Sequence, residues 1–396
     1  MKILIATECY IHNLGGITSS ILALCDGLRR RGHEVKTLSL SNRNLSYRDG
    51  EDYFIRSFPA FYYPGLRMSF ARKDPLLHEL EAWGPDIIHV QTEGTARRFS
   101  IRIMKHCHAP LIMTCHTDYG HYLFGRLRFF PPVKALLSVV GYALYRQATL
   151  LTVPSLKAKE FPFLQLLKSE ITVIPNGMET GKYRNRFTQQ ERQAFRLSLG
   201  IDEHTKVLVS VTRLSKEKNI RELISFLPEL LNKGLNVKLL IVGDGPERAN
   251  LEELTDKLQL QNSVIFVGRI PSEEVWRYYA AGDIFVSAST FEVHSMSYLE
   301  AMANGLPLLC REDSALRGVL EHGKNGLIYH NQEEFVDFAC RLLCDDELRS
   351  GMADFSCKKA EDFSSDAFAS SMLKVYTEAI HKKALNASDR EFGIQE

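Results

Sequence analysis

Glu292 and Glu300 stand eight residues apart, across what reads as the end of a strand, a loop and the first turns of a helix. A carboxylate accepts hydrogen bonds, so two of them in one place suit the hydroxyls of a sugar. Between them Ser295-Met296-Ser297 opens the helix. The first amides of a helix lack intrahelical acceptors and attract phosphate oxygens. Arg213 and Lys218, five residues apart after another apolar run, add a planar fork and a point cation suited to a diphosphate. His116 follows the apolar residues 111–113 and can hydrogen-bond to a hydroxyl. Gly15-Gly16, between the first strand and its helix, permits close approach of a ligand to the backbone. It is not G-x-G-x-x-G, so no dinucleotide fingerprint is present. Taken singly, each element has a plainer explanation: solvated charges, a structural histidine, an ordinary turn. What they share is a place after a buried strand, where α/β sheets hold ligands.

The elements that must position these residues follow from the apolar pattern. Residues 3–6, 35–40, 86–90, 111–114, 150–153 and 171–174 read as buried strands separated by amphipathic helices. A second series follows at 207–211, 239–242, 264–269, 284–286 and 308–310. Alternation of this kind predicts an α/β fold with parallel sheets covered on both faces. Ile174-Pro175-Asn176-Gly177 is a turn that closes a first domain, 1–175, ahead of a second, 176–364. A last helix is expected at about 365–385 and a disordered tail at 386–396.

Several of these segments resemble one family. Glu292-x7-Glu300, followed by Ala301-Met302-Ala303-Asn304-Gly305-Leu306-Pro307, resembles the E-x7-E signature and E-A-M-A-x-G-x-P tail of the family-4 retaining glycosyltransferases. Arg213 to Lys218 resembles their G-R-x-x-x-x-K phosphate loop, and Val242-Gly243-Asp244-Gly245-Pro246 their V-G-x-G-P segment. His116-Thr117-Asp118-Tyr119-Gly120-His121-Tyr122 resembles their sugar-facing histidine loop, and Pro175-Asn176-Gly177 their interdomain turn. Many members read E-G-F-G where this chain reads Glu292-Val293-His294-Ser295. With Met296-Ser297-Tyr298, that is closer to the diacylglycerol alpha-glucosyltransferase branch. The resemblance covers nearly the whole chain and is weakest between Asn42 and Trp83.

The resemblance implies a GT-B fold: two Rossmann-like domains whose parallel sheets face across a cleft, with the last helix crossing back to the first. The first domain would bind the acceptor and the second the nucleotide sugar. It implies a retaining hexosyltransferase in which Glu292, His116, Arg213 and Lys218 serve catalysis. Gly15, Gly16, Arg213, Lys218, Arg269, Ser295, Met296, Ser297 and Glu300 would hold the donor. Glu300 would bind ribose hydroxyls, Glu292 the hydroxyls of the transferred sugar, and Arg213 and Lys218 the leaving diphosphate. With those cations in place and no D-x-D pair, no cofactor or divalent cation is expected.

Composition bounds the compartment and the partners. The 396 residues are enough for two domains, and 45% hydrophobic with 24% charged residues is ordinary for a globular chain. No run of 18 apolar residues suggests a transmembrane helix, and residues 1–5 enter a strand with no leader before them. Eight scattered cysteines fit a reduced cytoplasmic protein without structural zinc. The net charge of +1 divides unevenly: residues 1–175 carry 22 basic and 14 acidic side chains, or +8, and the remainder −7. A basic half faces something anionic, or is merely solvated. Nucleic acid is not expected. Tyr122 to Lys134, with Arg126, Arg128, Phe129 and Phe130, leads into an apolar stretch, 135–142. That pattern suits either an interfacial segment on anionic lipid or a loop before a core helix, and the positive balance favours the membrane. A second aromatic and basic patch, from Phe54 to Lys73, could line an acceptor groove. The reading is therefore transfer of glucose from UDP-glucose to a diacylglycerol-like lipid at the cytoplasmic face. The alternatives are a soluble or polysaccharide-directed enzyme, and a nucleotide-sugar-binding protein without turnover.

Overall fold

The computed structural model describes residues 1–8, 15–59, 67–125, 127, 130–164, 167 and 170–391. The chain divides into two compact units, Met1–Gly177 with Ser365–Glu396, and Met178–Ser364.

The first unit holds strands β1 (Lys2–Ala6), β2 (Glu34–Leu40), β3 (Tyr47–Asp49), β4 (Asp52–Ile55), β5 (Phe58–Pro59), β6 (Arg67–Met68), β7 (Ile87–Val90), β8 (Leu111–Thr114), β9 (Leu150–Val153) and β10 (Ile171–Val173). Its helices are α1 (Gly16–Arg30), α2 (Pro75–Trp83), α3 (Thr95–Cys107), α4 (Tyr119–Phe124), α5 (Pro131–Tyr145) and α6 (Leu156–Lys159). Eight strands form one sheet in the order β10-β9-β8-β7-β1-β2-β4-β3, and β5 and β6 pair separately. The central strands are buried from end to end and mostly apolar, as a sheet covered on both faces requires. The sequence reading expects parallel strands throughout. The edge strand β3 instead runs antiparallel to β4, because the short link between Asp49 and Asp52 leaves room only for a hairpin.

The second unit holds β11 (Lys206–Val211), β12 (Val237–Val242), β13 (Val264–Gly268), β14 (Ile284–Ser287), β15 (Leu308–Arg311) and β16 (Gly326–Tyr329). They form a parallel sheet in the order β13-β12-β11-β14-β15-β16. Helices α7 (Thr180–Tyr183), α8 (Gln189–Ser198), α9 (Ile220–Asn232), α10 (Arg248–Lys257), α11 (Val275–Ala281), α12 (Met296–Ala303), α13 (Gln332–Cys344) and α14 (Asp346–Ala360) accompany them. One core layer joins the sheet to α9 and α13 through Ile224, Leu227, Phe335 and Leu342. The other joins it to α11 and α12 through Tyr279, Leu299 and Met302.

After Ser364 the chain returns to the first unit as α15 (Ser365–Glu391). Phe368, Met372 and Tyr376 of α15 share a core with Ile3, Ile5, Leu24 and Leu28. The backbone of α15 is helical through Glu391, past Asn386, where the sequence reading ends regular structure. The good helix formers Ala384, Leu385 and Ala387 carry it on.

Each sheet has one place where successive crossovers diverge. In the first unit it lies between β1 and β7, in the second between β11 and β14. Ligands of open α/β sheets bind outside the carboxyl ends of such strand pairs.

The start of α15 lies so close to α1 that a Cβ at Gly27 would stand 2.3 Å from the Ser365 carbonyl oxygen. Gly27→Ala is expected to destabilise the first unit by about 1–3 kcal/mol through overpacking. Denaturant unfolding measures this, and an unchanged midpoint would count against the close packing of α1 on α15.

Candidate functional site

In the second unit the chemistry gathers where β11 and β14 end. After β11 the chain passes through Thr212–Asn219, with Leu214 fully buried as an anchor. A Cβ at Gly243 would stand 1.9 Å from the Thr212 carbonyl oxygen, and one at Gly245 would stand 2.3 Å from that of Leu214. Glycine is therefore required at both, and the turn after β12 clasps the loop after β11. Asn219, at φ 50°, ends a short 3-10 turn and starts α9. Its Nδ2 donates to Glu222 at 2.8 Å, and Glu222 also accepts from the Tyr329 hydroxyl at 3.0 Å and from Arg311. From the other side, the Thr290 amide donates to the Glu217 carbonyl at 2.8 Å, so the loop after β14 is tied to the same turn.

This arrangement brings Lys218 Nζ to 2.6 Å from Glu292 Oε1, with Glu292 only 8% exposed. Arg213 stands exposed at the start of the same loop, and makes no ion pair among the described residues. Arg269 is likewise exposed, just past β13. Ser295 is the N-cap of α12 but does not cap it through its side chain; its hydroxyl instead meets that of Ser297 at 3.0 Å. Helix geometry leaves the first-turn amides of α12 without intrahelical partners. The Met296 side chain is buried in the core, so only its backbone can serve a ligand. Glu300 accepts from the Tyr279 hydroxyl at 2.8 Å. Burial raises its pKa above the ordinary carboxylate value, against the pull of the Tyr279 and Tyr183 hydroxyls and of Lys182.

His294, where the chain departs from E-G-F-G, sets its ring 5.9 Å from that of Phe363. Neither ring nitrogen has a hydrogen-bond partner among the described residues, and burial pushes the pKa down to about 4. A neutral, partly apolar imidazole thus fills the place of the phenylalanine.

In the first unit Gly15 caps α1 and is exposed, while residues 9–14 lie outside the described residues. His116, 8% exposed, follows β8 and meets Gln91 Oε1 at 2.7 Å through Nε2. Sequence reasoning overlooked Gln91, His89, Glu222 and Tyr279. A histidine inside a strand as buried as β7 was the one available signal; the others look like ordinary helix and loop residues until the fold brings them together. Among the described residues no group of three or more His, Cys, Asp or Glu could hold a metal ion.

The apolar stretch before Tyr145 forms α5, which is covered on one face only. One face of α5, with Leu137, Ser138, Gly141 and Tyr145, is buried, and Ser138 donates to the Pro162 carbonyl at 2.9 Å. The opposite face is apolar and open: Phe130, Leu136, Val139, Val140 and Tyr142 are 47–59% exposed. Arg126, Arg128 and Phe129 lie outside the described residues, as do Phe61, Tyr62 and Tyr63 of the second patch. Of that patch, Phe54 belongs to the core, whereas Arg56, Phe58 and Phe70 line an open cavity of about 240 Å³.

Two expectations follow. Lys218→Met leaves the Glu292 carboxylate buried without its counter-ion and is expected to cost about 3 kcal/mol, whereas Lys218→Met with Glu292→Leu costs much less. Additive losses in that double-mutant cycle would deny the pair. His294, with its folded pKa depressed to about 4 from an unfolded value near 6.5, contributes stability that is present above pH ~6.5 and lost as pH falls toward 4. Thermal melts from pH 7 to 4.5 should therefore show a smaller acid loss in His294→Phe than in the wild type; equal losses would contradict the burial of a neutral ring.

Comparison with known proteins shows the family and the fold. Residues 191–358 match the family model described as glycosyl transferases group 1, and residues 14–182 the model described as glycosyltransferase family 4. The alpha-monoglucosyldiacylglycerol synthase of Streptococcus pneumoniae is 31% identical over 341 residues, which span 85% of this chain and 77% of that protein. The synthase of the same name from Acholeplasma laidlawii is 27% identical over 399 residues, 98% of this chain and 100% of that one. Among solved structures, Anabaena HepE in complex with UDP-glucose superposes with a TM-score of 0.73 at 18% identity, covering 96% of this chain and 100% of that one. WaaG, a glycosyltransferase involved in lipopolysaccharide biosynthesis, superposes with a TM-score of 0.67 at 17% identity, covering 94% and 99%.

Proposed function

Since the chain belongs to the glycosyltransferases that the group 1 and family 4 models describe, and has their GT-B fold, we propose that it moves glucose from UDP-glucose onto a membrane lipid such as 1,2-diacylglycerol, with retention of configuration, at the cytoplasmic membrane face. The observation that carries the lipid acceptor is the open apolar face of α5, in the half of the chain whose charge balance is +8. Large apolar patches left exposed on soluble domains commonly mark interaction or membrane surfaces. On an anionic bilayer it would bury that surface while nearby basic side chains each add about 1 kcal/mol of attraction. The names of the two bacterial synthases support the same acceptor, and the UDP-glucose held by HepE supports the donor. No helix among the described residues is long and apolar enough to cross a membrane, and all the described cysteines are free, which suits a peripheral protein in a reducing compartment.

The chemistry asks for stabilisation of the charge that develops on the departing diphosphate. Lys218, Arg213 and the first amides of α12 supply it, so no divalent cation is required. Glu292, held by Lys218, accepts from hydroxyls of the sugar that is transferred. Glu300 accepts from the ribose hydroxyls. His116 and the Gly15-Gly16 turn, both of the first unit, are assigned to substrate contact by the family resemblance. With no second carboxylate read as a nucleophile among the described residues, retention is assigned to attack on the face from which the diphosphate leaves, a phosphate oxygen taking the acceptor's proton.

The test uses vesicles containing phosphatidylglycerol and diacylglycerol, with UDP-glucose as donor. The wild type should bind them, less at high salt, release UDP in excess EDTA and form an α-glucosyl lipid. Arg213→Ala or Lys218→Ala should lower kcat/KM by about 10²-fold. Leu136→Asp with Val139→Asp, both on the exposed face, should abolish vesicle binding and transfer to lipid while sparing hydrolysis of UDP-glucose by water. A wild type that ignores anionic vesicles at low salt, or glucosylates only soluble acceptors, would overturn the lipid reading.

A further inference from the structure

Glu222 lies in the first turn of α9, shortly after Lys218 in the chain, with its side chain 13% exposed. Its carboxylate is held from several sides. Oε2 accepts from Asn219 Nδ2 at 2.8 Å and from Arg311 Nη1, and Oε1 accepts from the Tyr329 hydroxyl at 3.0 Å. Arg311 and Tyr329 are the last residues of β15 and β16. The Tyr329 hydroxyl also stands 3.4 Å from the carbonyl oxygen of Ser287, the last residue of β14. The Ser287 hydroxyl in turn meets that of Tyr298, in the first turn of α12, at 3.0 Å. One carboxylate thus gathers the ends of β15 and β16 and the start of α9, and through Tyr329 it reaches the strand end that leads to Glu292.

Asn219 stands between Lys218 and α9 with φ 50°, a left-handed conformation that Asn is one of the few residues besides glycine to adopt readily. Its bond to Glu222 fixes that bend, and the bend sets the direction in which the preceding residue leaves the turn. Hydrogen bonds to a carboxylate are shorter and stronger than those between neutral groups, so the tie is a firm one. The charge of Glu222 is matched by Arg311, while Lys218 pairs with Glu292. We propose that Glu222 is a positioning residue for the diphosphate: through Asn219 it holds the turn that carries Lys218, so that the cation stands where the phosphates of a nucleoside diphosphate bind. The inference rests on the reading of Lys218 as a phosphate ligand. It reverses the sign that charge alone would give. Removing an acid near a bound anion tightens binding by Coulomb's law, whereas removing a positioning acid loosens it.

Calorimetric titration of the full chain with UDP tests this. Glu222→Ala should bind UDP about tenfold more weakly than the wild type, and Glu222→Gln, which keeps an oxygen for Asn219, should stay within about threefold of it. Unchanged or tighter binding in Glu222→Ala overturns the proposal. The same substitution made on Lys218→Ala separates positioning from a general loss of structure. If Glu222 acts through Lys218, it should change UDP affinity by less than about twofold in that background. An undiminished loss there makes Glu222 merely structural and overturns the proposal. Lys218→Ala alone tells the two failures apart. Unchanged UDP affinity in that variant removes the reading of Lys218 at the phosphates. A clear loss there, with Glu222→Ala unchanged, removes only the role of Glu222. A wild type that does not bind UDP removes the donor reading and this inference with it. Should Glu222→Ala not fold, Tyr329→Phe, which takes away one of the bonds to the carboxylate, should weaken UDP binding about threefold, and unchanged affinity in it overturns the proposal.

Discussion

A parallel strand can be followed only by a crossover, so every strand-to-helix turn of a parallel sheet leaves from the same edge. The candidate site depends on that constraint. In the second unit β11 sends its crossovers toward β12 and β13, while β14 begins a series on its other side. The loops after β11 and β14 therefore open away from each other above two hydrogen-bonded strands. Lys218 and Glu292 stand on those two loops, and Ser295 to Glu300 follow on the helix that the second loop feeds. The first unit repeats the arrangement at β1 and β7, where the Gly15-Gly16 turn and Gln91 are found.

Placing charge at such an edge carries a desolvation cost. Glu292 is almost fully buried, and a carboxylate so placed is tolerable only with a partner. Lys218 supplies it at 2.6 Å. The contact is held from below by Asn219, Glu222, Arg311 and Tyr329, and laterally by the Glu217 carbonyl. In the proposed function the lysine, already fixed by that contact, would need little reorganisation as charge moves onto a diphosphate, the condition under which fixed dipoles and cations stabilise a transition state best.

The first unit combines two unlike surfaces. Its core is completed by α15, which arrives from the far end of the chain and sets Tyr376 against His89. Its outside presents α5, half buried against Pro162–Leu164 and half open and apolar. A helix with apolar residues on all sides is normally buried on all sides. This one is packed on a single side, which leaves the other for a non-aqueous neighbour, consistent with the proposed lipid acceptor.

Local sequence determined the strands, their order of alternation with helices and the residues at their ends. Buried parallel strands need unbroken apolar runs, and turns need particular residue types, so both leave a mark within a few positions. Glu292, Glu300, Arg213, Lys218 and His116 were legible for that reason, together with their resemblance to a known pattern. The short strands β3 to β6 were not, because their aromatic and charged residues carry no clean period of two. Nor did the sequence show that Lys218 and Glu292, 74 positions apart, touch, that Tyr376 bonds to His89 across 287 positions, or that Gln91 meets the ring of His116. It left open which face of α5 is covered. Those are contacts between elements distant in the chain, decided by how helices pack on sheets, and side-chain spacing along one element contains no record of what the fold lays against it.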